Sequence, residues 1–291
     1  MQRPLNGYAI VVTAAVLFGT LGTFSRLFYD HGGEPFALLV FRFAGAGPAL
    51  LVLAGLRRDR VPGRLVVGGA LCLGAFQLIG AFSLFEGFSR APVGLVVLLF
   101  YVYPLIVSIG AALLFGEELG PPRLLALAVG IGGVALAVGV PHSASWAGIG
   151  FGLVGGVCTA GAVLSGRHLM ASHGLSPVLL SALMFSSPVL VLVPIAAGRG
   201  IDLHLGAAAW AAAACAVVVS AVIPVALFYT GVKRVGAGTA SLLGIGEPFA
   251  GVVLGYAVLG ESLSALQLLG GALIIGSVVL LSLQAIRAST A

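Results

Sequence analysis

Charge is scarce in this chain. Of its 291 residues only 8% are charged, against roughly a quarter in a soluble domain. So little polar surface cannot cover a soluble globule. The 60% of residues that are hydrophobic instead suit a chain whose solvent is lipid. Long polar stretches are missing too, so no appended soluble domain is expected. Cysteine is rare: Cys72, Cys158 and Cys215 fall inside apolar runs. They lack metal-ligand spacing, and a disulfide framework is not expected. The five histidines lie in loops or at the ends of apolar runs, which argues against a buried histidine proton relay. Basic residues are scattered between the runs rather than clustered. The net charge of +5 therefore reports membrane topology and not nucleic-acid binding. The first run continues as a full span after a short polar start, so no cleavable signal peptide is expected.

What the chain does have is long apolar runs. They can be marked at 7–27, 35–56, 65–88, 92–115, 122–140, 147–170, 176–198, 206–231, 238–259 and 263–284. Each reaches the ~20 residues needed to cross a bilayer as a helix, and none alternates like a barrel strand. The expected fold is an all-α integral membrane protein of ten transmembrane helices. With the N-terminus cytoplasmic, Arg3, Arg57, Arg58, Arg60, Arg64, Arg123, Arg167, Lys233, Arg234 and Arg287 fall at the inner face. Arg26, Arg90 and Arg199 fall at the outer face, and Arg42 lies within a span. That bias satisfies the positive-inside rule and places both termini in the cytoplasm.

An internal echo organises the chain. Residues 90–119 and 234–263 align without a gap at an offset of 144. They share Arg90/Arg234, Gly94/Gly238, Leu98/Leu242, Leu99/Leu243, Pro104/Pro248, Gly116/Gly260, Glu117/Glu261 and Leu119/Leu263. A mid-span proline and a terminal Gly-Glu recurring at one offset indicate a duplication. An odd number of spans separates the copies, so residues 1–144 and 145–291 are expected to be two five-helix repeats of opposite orientation. That is the architecture of a carrier that opens to each side in turn.

Several residues inside the spans can carry chemistry. Pro104 and Pro248 each remove a backbone hydrogen bond near mid-span, leaving the carbonyls of Phe100 and Gly244 without their helical donors. In lipid those carbonyls need another partner, which can be a substrate, a water or a neighbouring helix. Gln77, Tyr101 and Tyr103 bring hydrogen-bonding groups to mid-bilayer. Phe76, Tyr103 and Phe228 offer an apolar wall for a hydrophobic or aromatic ligand. The ionisable groups within spans are Arg42, Glu86 and Glu247. Such groups are costly in a membrane and are functional candidates by default. Glu247 precedes its kink proline and can meet a substrate cation, carry a proton or pair with Arg42. Glu86 lies nine residues beyond Gln77, on the opposite helix face. Glu117 and Glu261 end their spans, where they can cap a helix or act at a gate. Ordinary helix packing remains the alternative for any single aromatic or proline.

No enzyme motif accompanies these residues: there is no His-Glu-x-x-His, no paired-aspartate metal site and no phosphate-cradling loop. No catalytic residue, metal or cofactor is expected. Phe18-Gly19-Thr20, Arg42-Phe43, Pro104 with Gly116-Glu117, and Glu247-Pro248 with Gly260-Glu261 together resemble the EamA type of the drug/metabolite transporter superfamily. In that family Trp-Gly usually stands at the Phe18-Gly19 position. Among its branches the chain looks most like the YddG-type exporters of aromatic amino acids and methionine. The resemblance implies a multi-pass protein of the bacterial inner membrane. It implies secondary export of small metabolites by alternating access, with hydrophobic or aromatic amino acids as substrates. A multidrug or organic-cation exporter of the same superfamily is the alternative. The expected partners are that small molecule and membrane lipid, not nucleic acid. Monomer and homodimer are left open.

Overall fold

In a computed structural model of the chain, the described residues are 2–60, 63–90, 96, 99–118, 120–138, 145–259 and 265–290. At 2–5, 65, 85, 88–89, 252, 255–256, 259, 267, 278 and 281–290 the backbone alone is described. All regular structure among them is helical. In order the helices are α1 (Gln2–Asp30), α2 (Pro35–Leu56), α3 (Arg64–Arg90), α4 (Tyr103–Phe115), α5 (Pro121–Val138), α6 (Trp146–His173) and α7 (Pro177–Ser186). They continue as α8 (Val189–Arg199), α9 (Ala207–Val217), α10 (Ile223–Val235), α11 (Ala237–Leu243), α12 (Gly246–Leu259) and α13 (Ala265–Thr290). A single π-helical turn, Val218–Val222, joins α9 to α10.

Local chemistry explains many of the ends. Ser145 and Ser176 precede α6 and α7, and each side chain accepts from the backbone N–H three residues on, at 3.0 Å. Pro35 and Pro177 open α2 and α7, where a missing N–H costs nothing. Gly116 and Gly174 end α4 and α6 in the left-handed conformation, both at φ 66°.

Among the described residues six stretches are long and apolar enough to cross a membrane: Asn6–Asp30, Pro35–Leu56, Val66–Leu84, Trp146–His173, Pro177–Arg199 and Ala207–Val235. Ten spans are expected from the sequence; the further apolar helices among the described residues are shorter, Tyr103–Phe115, Pro121–Leu136 and Leu268–Ser277, and two helices are broken. The breaks fall at the two prolines. A turn at Tyr101–Val102 precedes α4, and Pro104 sits in its first turn. A turn at Gly244–Ile245 separates α11 from α12, and Pro248 sits in the first turn of α12. A proline is tolerated where a helix begins and breaks one that runs through it. The expected boundary between halves adjoins 139–144, and Gly260 and Glu261 lie in 260–264; both stretches are outside the described residues.

The packing interleaves the two halves. α3 lies along α6, α1 lies against α10 and α12, α2 against α7, α5 against α13, and α4 against α11. Glycines let the broken segments come close. A Cβ at Gly19 on α1 would lie 2.6 Å from the Glu247 carbonyl oxygen and 2.7 Å from Ala250 Cβ. One at Gly156 on α6 would lie 2.8 Å from the Phe100 carbonyl oxygen. Close backbone approach of this kind drives helix association where lipid removes the hydrophobic incentive.

Candidate functional site

The breaks open onto a central cavity of about 150 Å³. Its wall takes Ala15, Phe18 and Leu21 from α1, Arg42 from α2, and Gln77, Gly80, Ala81 and Leu84 from α3. Phe100 and Tyr103 follow from the first break. The second half supplies Thr159, Ala162 and Val163 from α6, Met184 and Phe185 from α7, Val225, Phe228 and Tyr229 from α10, and Gly244 and Glu247 from the second break. Most of this surface is apolar or aromatic, with a few polar groups converging, which is the make-up of a small-molecule site.

Of the residues singled out from the sequence, the cavity brings together Gln77, Phe100, Tyr103, Phe228, Gly244 and Glu247. Pro104 and Pro248 stand just behind it, shaping the two breaks. Phe76 is not on the wall. It is 40% exposed, and its ring packs against Gly161 of α6. Successive helix positions turn by ~100°, so Gln77 faces inward and Phe76 outward. Tyr101 is not on the wall either. It is buried behind it, with its ring 5.5 Å from that of Phe100 and 5.8 Å from that of Tyr103. The Gly244 carbonyl has a donor: it accepts from the Glu247 N–H at 3.0 Å. The broken helix thus restarts one residue tighter, with an i→i+3 bond, and satisfies the group expected to be free. Gly244 matters instead for its missing side chain, since a Cβ there would lie 2.6 Å from the Tyr103 hydroxyl oxygen.

Sequence reasoning missed part of the wall. Phe18 packs edge-on against Phe228, with ring centroids 6.3 Å apart. Its place beside Gly19 was the available signal. Tyr229 donates to the Ala162 carbonyl oxygen at 3.2 Å and lies 3.5 Å from Met184 Sδ. The Phe185 ring packs tilted against that of Phe43, with centroids 5.2 Å apart; nothing local in the sequence marked it.

The ionisable groups divide by position. Glu86 pairs with Arg90 on its own helix at 2.9 Å, and Arg26 pairs with Asp30 at 3.2 Å; neither lines the cavity. Arg42 and Glu247 both line it and interact electrostatically, but no ion pair within 4.0 Å joins them. Arg42 Nε is buried without a hydrogen-bond partner. The Tyr101 hydroxyl lies in the field of the Glu247 carboxylate, yet makes no hydrogen bond of acceptable geometry. Among the described residues no group of three His, Cys, Asp or Glu is placed to hold a metal ion.

Glu117 does cap a helix, though not the one that follows it in sequence. Its carboxylate accepts from the N–H groups of Ala237 at 2.8 Å and Gly238 at 3.1 Å, at the start of α11. Arg123 stands 3.9 Å from the same carboxylate and donates to the Thr239 hydroxyl. This contact joins residues 120 apart at one end of the bundle.

The comparisons with known proteins agree with this picture. The EamA-like transporter family matches residues 5–139 and again residues 146–283. The chain is 29% identical over 274 residues to a protein of Archaeoglobus fulgidus described as an "Uncharacterized transporter", covering 94% of this chain and 95% of that protein. A solved structure described as "Crystal structure of protein" superposes with a TM-score of 0.84 at 18% identity. It covers 96% of this chain and 99% of its own, and at that identity it speaks to the fold alone. With the family matched over nearly its whole length, this helical, multi-pass chain belongs to the EamA-like transporter family of membrane transporters.

Proposed function

We propose that the protein is a secondary exporter of hydrophobic or aromatic amino acids, in the manner of the YddG-type branch, working by alternating access. The observation that carries this reading is the central cavity. Its volume is close to the ~150 Å³ that accommodates a single aromatic ring in a protein interior. Phe18, Phe100, Tyr103 and Phe228 offer that ring an apolar and edge-on surface. Gln77, Arg42, Thr159 and Glu247 offer hydrogen bonds and charge to the polar end of the same molecule.

Two observations support an inverted repeat of five helices each. The family matches twice in tandem, and the packing pairs α3 with α6 and α1 with α10 across the halves. The broken walls contributed by each half then suit a site that faces either side in turn. The membrane is the bacterial inner membrane with both termini cytoplasmic. A reporter after Arg287 should read cytoplasmic, and a cysteine within 141–146 should label from outside.

Glu247 on the wall keeps a second reading open, export of organic cations. Arg42 on the same wall opposes a bare cation and favours the amino acid. Counterflow in proteoliposomes decides between them. Labelled phenylalanine and methionine should exchange against their unlabelled forms. Exchange of a quaternary ammonium, with none of either amino acid, would reject the proposal.

A further inference from the structure

The cavity holds two opposite charges that do not neutralise each other by contact. Arg42 comes from α2 in the first half. Glu247 comes from the restart of α12 in the second. Both line the same space, they share no ion pair within 4.0 Å, and Arg42 Nε has no hydrogen-bond partner. A charge inside a bilayer is costly unless it is paired or hydrogen-bonded, so Arg42 calls for a counter-charge, and the Glu247 carboxylate on the same wall can meet one of the opposite sign. A guanidinium presents a planar fork of donors that matches a carboxylate. A carboxylate in turn accepts charge-assisted hydrogen bonds from an ammonium. A ligand with one charge would satisfy one group and leave the other bare. A ligand with both, separated by one carbon, satisfies both.

We infer that Arg42 and Glu247 are a bipolar clamp that reads the free carboxylate and the free ammonium of an amino acid. The clamp discriminates against amides, esters and N-acylated forms with the same side chain. This rests on the amino-acid reading of the cavity and names the residues that set its specificity. Neither half contains the clamp alone, so a rearrangement of one half against the other changes its span. Closure on a zwitterion is then favoured over closure on a singly charged analogue.

The test is a binding matrix on the purified full chain in lipid nanodiscs. The ligands are L-phenylalanine, L-phenylalaninamide and N-acetyl-L-phenylalanine. The proteins are the parent, Arg42→Gln and Glu247→Gln, with melting temperature and monodispersity recorded without ligand. The parent should bind phenylalanine best. Losing one charge-assisted contact should weaken phenylalanine by roughly 10- to 100-fold in either variant. The singly charged ligands should move in opposite directions. Arg42→Gln should come to prefer the amide, whose ammonium Glu247 still accepts. Glu247→Gln should come to prefer the N-acetyl acid, whose carboxylate Arg42 still holds. If Arg42→Gln does not yield folded protein, the switch in Glu247→Gln alone decides the matter. Equal weakening of all three ligands in the folded variants would mean a structural charge pair and would overturn the inference. Unchanged binding would overturn it too. The same matrix with leucine, leucinamide and N-acetylleucine separates the two readings. If only the leucine series binds, with the same switch, the aromatic preference is lost and the clamp stands. If neither series binds to the parent, the clamp falls together with the amino-acid reading.

Discussion

Glu117→Gln is the most informative single perturbation of the contact that ties the end of α4 to the start of α11. The Glu117 side chain is only 13% exposed, so solvent screens its contacts little. It accepts two backbone N–H groups of α11, at 2.8 and 3.1 Å. A glutamine keeps one carbonyl oxygen and turns an NH₂ group toward the other N–H. One charge-assisted hydrogen bond is lost, worth about 1.5–3 kcal/mol. The favourable charge at a helix N-terminus is lost as well, worth about 0.3–1 kcal/mol. If the cap holds the α4–α11 contact shut, a net loss of about 2 kcal/mol shifts its opening roughly 30-fold. Ser108 reports that opening. It is 3% exposed, its hydroxyl has no partner, and its Cα would lie 3.6 Å from a Cβ at Gly238. With Cys72, Cys158 and Cys215 replaced by alanine, Ser108→Cys should react with an impermeant maleimide in nanodiscs. The reaction should be roughly 10- to 30-fold faster when Glu117→Gln is added. Glu118→Gln is the control: its exposed side chain leaves the cap alone, and only its backbone carbonyl meets Arg123. Equal labelling in the presence and absence of Glu117→Gln would show that the cap does not hold this end shut. So would an equal increase from Glu118→Gln.

Gly19→Ala would place a methyl 2.6 Å from the Glu247 carbonyl oxygen. An overpacking cost of about 1–3 kcal/mol should lower the melting temperature in detergent and weaken phenylalanine binding together. Pro104→Ala and Pro248→Ala restore backbone donors at the two breaks, and should slow proteoliposome counterflow while membrane expression persists; full transport in the double variant would remove the breaks from the mechanism. Gln77→Ala should reduce phenylalanine counterflow, whereas Glu86→Gln disturbs a pair with Arg90 away from the cavity and should not. Phe76→Ala, on the outward face, should keep the phenylalanine affinity of the parent. A loss there beyond about tenfold would put Phe76 back on the wall.

Membrane residence, helical class and family were legible in the sequence because they rest on local or additive properties. Scarce charge and apolar runs of ~20 residues leave only helices or closed barrels as spanning structures, and these runs lack the barrel alternation. Helix starts at Ser145 and Ser176, the end at Gly116 and the breaks at Pro104 and Pro248 follow from the hydrogen bonds that single residues can or cannot make. The site was legible only in part. A break can be read from one proline, but which carbonyl it frees depends on how the chain restarts, and Glu247 claims the one at Gly244. Neighbouring helix residues point in different directions, and composition does not say which direction is inward, hence Gln77 on the wall and Phe76 off it. Tertiary structure alone decided the long-range partners. Arg42 and Glu247 meet one cavity from α2 and α12, and Glu117 caps a helix 120 residues away. In a chain this apolar, hydrophobicity favours nearly every pairing of helix faces equally. Close approach at glycines such as Gly19 and Gly156, together with the partners demanded by a few buried polar groups, selects the pairing that forms.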